Sequence, residues 1–362
     1  MQTPTAIRAL ADENFRPAGQ GLVTAFDGRV SVRYRTRTVA VCSVLLVLAV
    51  GCVFLELLVG DLWIAPRDIW SALTWGGEFA SFIVMDIRLP RALAAVMVGA
   101  AFGASGAIFQ SVSRNALASP DIMGFTSGAS AGAVFMILIM SANHAQIVAG
   151  AIVGGLGAAL LVHGLAYQRG APGGYRMILV GIGLSAMFVS GTAYMILKAD
   201  LDNAAAAYTW LVGSLHGTSW AQVTIMAVAL AVLLPTAGFL GGPMRLLEMG
   251  PDAASALGLS VRRLTTGLLL TATLLAATGV ATAGPVAFIA LSAPQIARRV
   301  VRGSSPGVFS SALMGAVLLA VSDVAAQRVV PNTALPVGVA TVVLGGGYLV
   351  WLLIREQRKN RV

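Results

Sequence analysis

The chain has 362 residues, of which 57% are hydrophobic and 11% charged, whereas an ordinary soluble domain carries roughly a quarter charged residues. A soluble fold of this length could bury a core but would still need a charged surface, so that class is excluded. The net charge of +9 is accounted for by membrane topology and anionic lipid headgroups, so nucleic acid is not expected as a partner.

Residues 1–38 are mixed and polar, too long for a signal-peptide n-region, and read as a flexible or membrane-surface segment on the cytoplasmic side. Ten apolar runs follow, each near the ~20 residues that cross ~30 Å of hydrocarbon as a helix. They are Val39–Gly60, Ala92–Val112, Ile122–Met140, Gln146–Tyr167, Met177–Leu197, Trp220–Leu240, Leu264–Ala283, Pro285–Val301, Val308–Ala326 and Pro336–Ile354. None alternates as a β-barrel strand would. The expected fold is all-α: a polytopic transmembrane domain of about ten helices over residues 39–356, with a short cytoplasmic tail at 357–362. Cys42 and Cys52 share the first run, which excludes a disulfide framework. Glycines inside the runs, such as Gly150, Gly154 and Gly155 or Gly345, Gly346 and Gly347, suit close helix approach in lipid.

With ten crossings, 19 of the 24 basic residues fall on the side of the termini, leaving Arg67, Arg88, Arg91, Lys198 and Arg328 opposite. The positive-inside bias therefore puts both termini in the cytoplasm. Ionisable residues near the bilayer midplane, the mark of proton- or ion-coupled carriers, are almost absent; Glu56 and Asp323 sit near the outer ends of their runs. His144, His163 and His216 are scattered without ligand-spaced partners, and neither Lys198 nor Lys359 sits in a phosphate-cradling G-x-x-x-x-G-K-[ST] loop. An enzyme, or an ATPase of that type, is disfavoured. What remains is a pore driven by another protein, or a secondary carrier or channel for a small neutral solute.

Several short segments add chemistry. Arg88-Leu-Pro-Arg91 puts two arginines around a rigid proline at the outer face, suited to an acidic partner. An inner loop reads Arg114-Asn115-Ala116-Leu117-Ala118-Ser119-Pro120-Asp121. The longest inner loop, 243–260, carries Arg245, Leu246, Leu247 and Glu248, then Gly250-Pro251, then Asp252, Ala253, Leu257 and Gly258. Its apolar residues recur at helical spacing on either side of Gly250-Pro251, which predicts two short helices, with Pro251 at a first helical position and Asp252 near the positive helix end. Further on come Ala283-Gly-Pro-Val-Ala-Phe288, Ala293-Pro294-Gln295-Ile296-Ala297-Arg298-Arg299 and Ala334-Leu-Pro-Val-Gly-Val339.

In this order the segments resemble those of the FecCD-type iron-siderophore and cobalamin permeases of ABC importers, from the first run nearly to the C-terminus. Gly250, Asp252, Ala253, Leu257 and Gly258 match the family's coupling-helix pattern, with Pro251 in place of an acid. Ala116 stands where proline is usual, Gln295 replaces a histidine, and Gln327 stands at a third family arginine, beside Arg328. Met244–Gly250, Ser119–Asp121, Gly181–Gly183 and Leu352–Lys359 are most similar to the ferric-enterobactin members. The resemblance implies a type II ABC importer permease fold and ferric-siderophore transport. It assigns ATPase coupling to 243–260, binding-protein docking to Arg88, Arg91 and Arg328, and signature loops to Asn115, Leu117, Pro120, Pro294 and Arg298. It also implies a second, homologous permease subunit, two cytoplasmic ATPases that hold ATP and magnesium, and an extracytoplasmic siderophore-binding protein. No cofactor is expected on this chain.

Overall fold

The structure is a computed structural model, and it describes residues 20–25, 30–58, 65–74, 81–168, 171–172, 174–303, 305, 307–329 and 335–359. Residues 1–19, 26–29 and 360–362, which carry most of the expected N-terminal segment and part of the tail, lie outside the described residues.

The described part of the segment 1–38 forms a hairpin followed by the first residues of a helix. Strands β1 (Gln20–Ala25) and β2 (Val30–Arg35) pair antiparallel, Gln20 opposite Arg35 and Ala25 opposite Val30. The Val-Ser-Val-Arg-Tyr-Arg sequence of β2 has the period-two, β-branched pattern that suits a strand. The helices then run α1 (Thr36–Leu58), α2 (Pro66–Thr74), a π-helical turn at Phe82–Arg88 continuing into α3 (Leu89–Ser113), α4 (Phe125–Leu138) and α5 (His144–Ala166). A second small hairpin, β3 (Tyr167–Gln168) with β4 (Ala171–Pro172), precedes α6 (Gly174–Lys198), α7 (Leu201–Val212), α8 (Trp220–Glu248) and α9 (Pro251–Ala256). The chain ends with α10 (Val261–Ala283), α11 (Ile289–Val301), α12 (Val308–Arg328) and α13 (Val337–Lys359).

Every apolar run contains a helix, but among the described residues seven helices are long and apolar enough to cross a membrane, not ten. The other three are α4, with 14 residues, α11, with 13, and the apolar part of α13, Val337–Trp351. Local geometry explains two of the differences. The third run loses its start to the turns before Gly124, which caps α4 at φ +79°. The eighth loses Pro285–Phe288 to an irregular stretch between Gly284 (φ +71°) and Phe288 (φ +68°).

In lipid the hydrophobic effect does not drive helices together, so close packing must. Helices α3 and α10 form the centre and are buried over most of their length, while α1, α6 and α8 present large apolar faces outward. A Cβ at Gly99 or Gly103 of α3 would fall on the carbonyl oxygens of Gly315 and Ser311 of α12. The Ser105 hydroxyl donates to the Ala272 carbonyl of α10 at 2.7 Å, joining the two central helices. Phe109 stacks on Phe125 with centroids 5.0 Å apart, which seats α4 against α3.

The segment 243–260 departs from the expected helix pair. Helix α8 runs unbroken through Pro235 and Pro243 to Glu248, so the first expected helix is the end of a spanning one. Met244 and Leu247 are buried against the bundle and hold that extension in place. The break falls at Gly250, whose φ of +119° is closed to most side chains, and α9 begins at Pro251.

Candidate functional site

At the end of the bundle holding the first residues of α1, α9 projects as a short apolar knob. Ala254 is fully buried and anchors it, while Met249 and Leu257 are 70% and 62% exposed and Asp252 faces outward at the positive end of α9. Gly258, at φ +83°, turns the chain so that Leu259 N–H reaches back to the Ala254 carbonyl at 3.1 Å. Arg245 is exposed, Leu246 and Ala253 are half-buried, and Glu248 accepts a hydrogen bond from the Ser305 hydroxyl at 2.6 Å.

The loop at Arg114–Asp121 lies beside this knob. A Cβ on Gly250 would stand 3.9 Å from Arg114 Nη1, so the start of that loop lies near the break before α9. Asn115 accepts from Leu117 N–H at 2.9 Å, closing a local turn, and Leu117 is exposed. Pro120 is buried, and its carbonyl accepts from Phe125 N–H at 3.1 Å. Burial raises the Asp121 carboxyl from 3.8 to about 6, against a hydrogen bond from Thr126 that lowers it.

Two glutamines fasten this loop and α3 to α11. Gln295 Nε2 donates to the Ala116 carbonyl at 2.9 Å, and Gln110 Nε2 to the Leu291 carbonyl at 3.0 Å. Gln295 stands where the resemblance has histidine, and here it is a neutral clamp. Pro294 is buried within α11, and Arg298, one turn on, is half-buried. One residue further, Arg299 donates to the Tyr348 hydroxyl of α13 at 3.1 Å.

The opposite face corrects the expectation of two exposed arginines. Arg88 is only 9% exposed and donates to the Leu57 carbonyl at 2.7 Å, tying the π-helical turn to the end of α1. Arg91 forms a two-pronged pair with Asp323 of α12, Nε to Oδ2 at 2.8 Å and Nη2 to Oδ1 at 2.9 Å. Gln327 also donates to Asp323 Oδ2 at 2.8 Å, so it turns inward rather than out to a partner. Glu56 lies within electrostatic reach of this pair, and neither of its buried oxygens has a hydrogen-bond partner among the described residues. Arg328 alone of the three expected docking arginines is exposed. Among the described residues no group of three or more His, Cys, Asp or Glu could hold a metal ion.

The sequence profile of the FecCD transport family matches residues 45–355. The chain belongs to this family. Among its FecCD relatives, the ferric enterobactin transport system permease protein FepG of Escherichia coli K12 is 45% identical over 77% of this chain and 84% of that protein. The achromobactin transport system permease protein CbrC of Dickeya dadantii is 36% identical over 91% and 96%. The Fe(3+) dicitrate transport system permease protein FecD of Escherichia coli K12 is 36% identical over 84% and 95%. A solved chain from a transporter described as of the metal-chelate ABC type, facing inward, shares the fold with a TM-score of 0.77 at 23% identity, covering 88% of this chain and 99% of that one. A FecCD-family chain is a transmembrane ABC permease rather than an enzyme, and ATP hydrolysis belongs to a separate subunit.

Pairings between distant segments were the part that sequence reasoning missed. Arg91 and Asp323 lie 232 positions apart, Gln295 and Ala116 179 apart, and nothing in a single sequence joins them. The one available signal was Asp323 itself, a carboxylate inside an apolar run.

Proposed function

We propose that the chain is one permease subunit of an ABC importer that carries a ferric siderophore of the enterobactin class across the cytoplasmic membrane. The observation that carries this reading is the 45% identity over 280 residues with the ferric enterobactin permease. Relatives named for achromobactin and Fe(3+) dicitrate support a chelate as cargo.

In this reading the basic face is cytoplasmic and holds both termini. The exposed Met249 and Leu257 around α9 enter a cleft on an ATPase, and closure of the ATPase pair moves α9 about Gly250. A second, homologous permease completes the pathway, with α6 and α13 facing it. Their loose packing supports this: Leu179, Met187, Val343 and Val350 are all exposed on these helices. On the outer face an acidic siderophore-binding protein meets Arg328 first. Arg91 reaches an incoming carboxylate only by leaving Asp323, and Arg88 stays structural.

The test is uptake of labelled chelates by a strain that lacks this chain, with and without its return. Ferric enterobactin uptake should depend on the chain far more than ferric dicitrate uptake does. Equal dependence would leave a broader chelate permease, and no dependence on either would reject the cargo. Co-purification in mild detergent tests the partners: an ATPase and a second permease should accompany the wild-type chain, and Leu257→Asp should lose the ATPase alone.

A further inference from the structure

A cavity of about 410 Å³ opens at the basic end of the bundle, where α1, α8, α11 and α12 meet. Arg35 enters it from the end of β2, Arg245 from the last turn of α8 and Arg298 from the last turn of α11. Among the described residues the one acidic member of the lining is Glu248, whose carboxylate takes the Ser305 hydroxyl. The charged lining thus has a surplus of two positive charges.

The corner is built, not a loose surface cluster. Arg37 donates to the Val300 carbonyl from both Nε, at 3.1 Å, and Nη2, at 2.9 Å, and Arg35 Nη1 donates to the Arg302 carbonyl at 3.4 Å. These bonds fix the β2–α1 junction to the end of α11, where cations also meet the negative helix pole. The side chains of Arg245 and Arg298 have no hydrogen bond or ion pair to another described residue. The N-terminus of α12, whose cap Gly307 supplies no side chain, forms the remaining wall with Ser310.

We propose that this cavity binds a phosphate group, supplied by the headgroup of an anionic phospholipid. Three guanidinium groups arriving from separate elements, with uncapped backbone N–H groups, suit a tetrahedral anion with oxygens in several directions better than a planar carboxylate. The lining also includes Val301, which gives the lipid glycerol an apolar edge. The cavity lies where four helices end, three of them long and apolar enough to span, so it sits at headgroup depth, where anionic lipid is concentrated. A bound headgroup would hold the end of α8 to α11 and α12 immediately before the Gly250 break.

The full-length chain is purified in mild detergent, stripped of lipid, and titrated with phosphatidylglycerol, phosphatidylcholine or inorganic phosphate, with binding read by native mass spectrometry. Phosphatidylglycerol should bind in preference to phosphatidylcholine. Arg245→Gln and Arg298→Gln should each weaken it about fivefold, since one basic contact near an anionic headgroup contributes about 1 kcal/mol. Arg298→Lys, which keeps the charge, should lose less and serves if Arg298→Gln fails to fold. Arg176→Gln, at the start of α6, should leave binding unchanged. Equal loss from Arg176→Gln, or equal retention of both lipids, would mean diffuse charge attraction and overturn the site. Inorganic phosphate that binds as tightly as phosphatidylglycerol and displaces it would overturn the lipid source. If the ATPase in the assembled complex expels the lipid, the cavity is a protein-docking surface and the proposal fails.

Discussion

Changing Asp323 to Asn leaves the Arg91 guanidinium with its side chain 15% exposed and its carboxylate partner removed. Breaking one partner of a buried ion pair costs about 3–5 kcal/mol, mostly because the other charge stays buried and uncompensated. Arg91→Met should cost a similar amount, because Asp323 is fully buried and would keep only the Gln327 amide. The double change Arg91→Met with Asp323→Leu removes both charges and should cost less than Arg91→Met or Asp323→Leu alone, so the coupling should be at least about 3 kcal/mol. At about 2.1 cal/mol/K of unfolding entropy per residue, 1 kcal/mol shifts the midpoint of a 362-residue chain by about 1.3 °C. Each single variant should therefore unfold about 4–6 °C lower in detergent, with the double variant well above both. Additive losses, with coupling below about 0.5 kcal/mol, would refute the reasoning and return Arg91 to the role of a free docking residue.

The packing of α3 on α12 predicts that Gly103→Leu costs more than about 3 kcal/mol and lowers folded yield, while Gly157→Ala, with nothing within 4 Å, is neutral; thermal scans of both in one detergent check this. Asp121 titrates at about 6 in the fold against 3.8 for an unperturbed carboxyl, so the native state binds the proton more tightly than the unfolded chain. Wild-type stability should fall as pH rises from about 4 to about 6, and Asp121→Asn should be flat over that window and up to about 3 kcal/mol more stable above it, measured by unfolding midpoints across pH. Glu56→Met removes a buried carboxyl with no hydrogen-bond partner among the described residues and should stabilise the chain by about 1–3 kcal/mol; a lower unfolding midpoint would show that Glu56 is satisfied after all.

The helices were legible because each apolar run is about as long as a membrane is thick, and the glycine-rich packing faces because small residues recur inside those runs. Boundaries were less so. Pro243 reads as a breaker after Gly241-Gly242, yet α8 continues past it because Met244 and Leu247 have burial sites further along the same helix. The knob at Pro251–Ala256 could be found, since Gly250 and Pro251 are local signals of a stop and a restart. The role of Arg91 could not, because an Arg-x-Pro-Arg segment looks the same whether its charge faces a partner protein or a carboxylate on another helix. Arg35 was visible only in the positive-inside count, Arg245 also in the 243–260 segment and Arg298 in a family motif; their convergence belongs to the tertiary fold.

Gln295 gives the sharpest test of how α9 would act on the rest of the bundle. Arg114 lies near the Gly250 break, two residues on the Ala116 carbonyl meets Gln295 on α11, and Arg299 on α11 meets Tyr348 on α13. A contiguous chain of contacts is a route only if changing one member alters coupling and not merely stability. Gln295→Ala removes a single neutral hydrogen bond and leaves the Ala116 carbonyl without its donor, a loss of about 1 kcal/mol that the fold should survive. On the proposed reading ATPase binding rests on Met249 and Leu257, so it should be unchanged. Transport per ATP hydrolysed should fall several-fold in reconstituted vesicles, because α9 would then move without α11. Gln295→His, whose ring can donate to the same carbonyl, should restore part of it. If the alanine variant transports as well per ATP as the wild type, α11 and α13 receive the motion by another way, and the direct packing of α8 and α10 is the alternative to test.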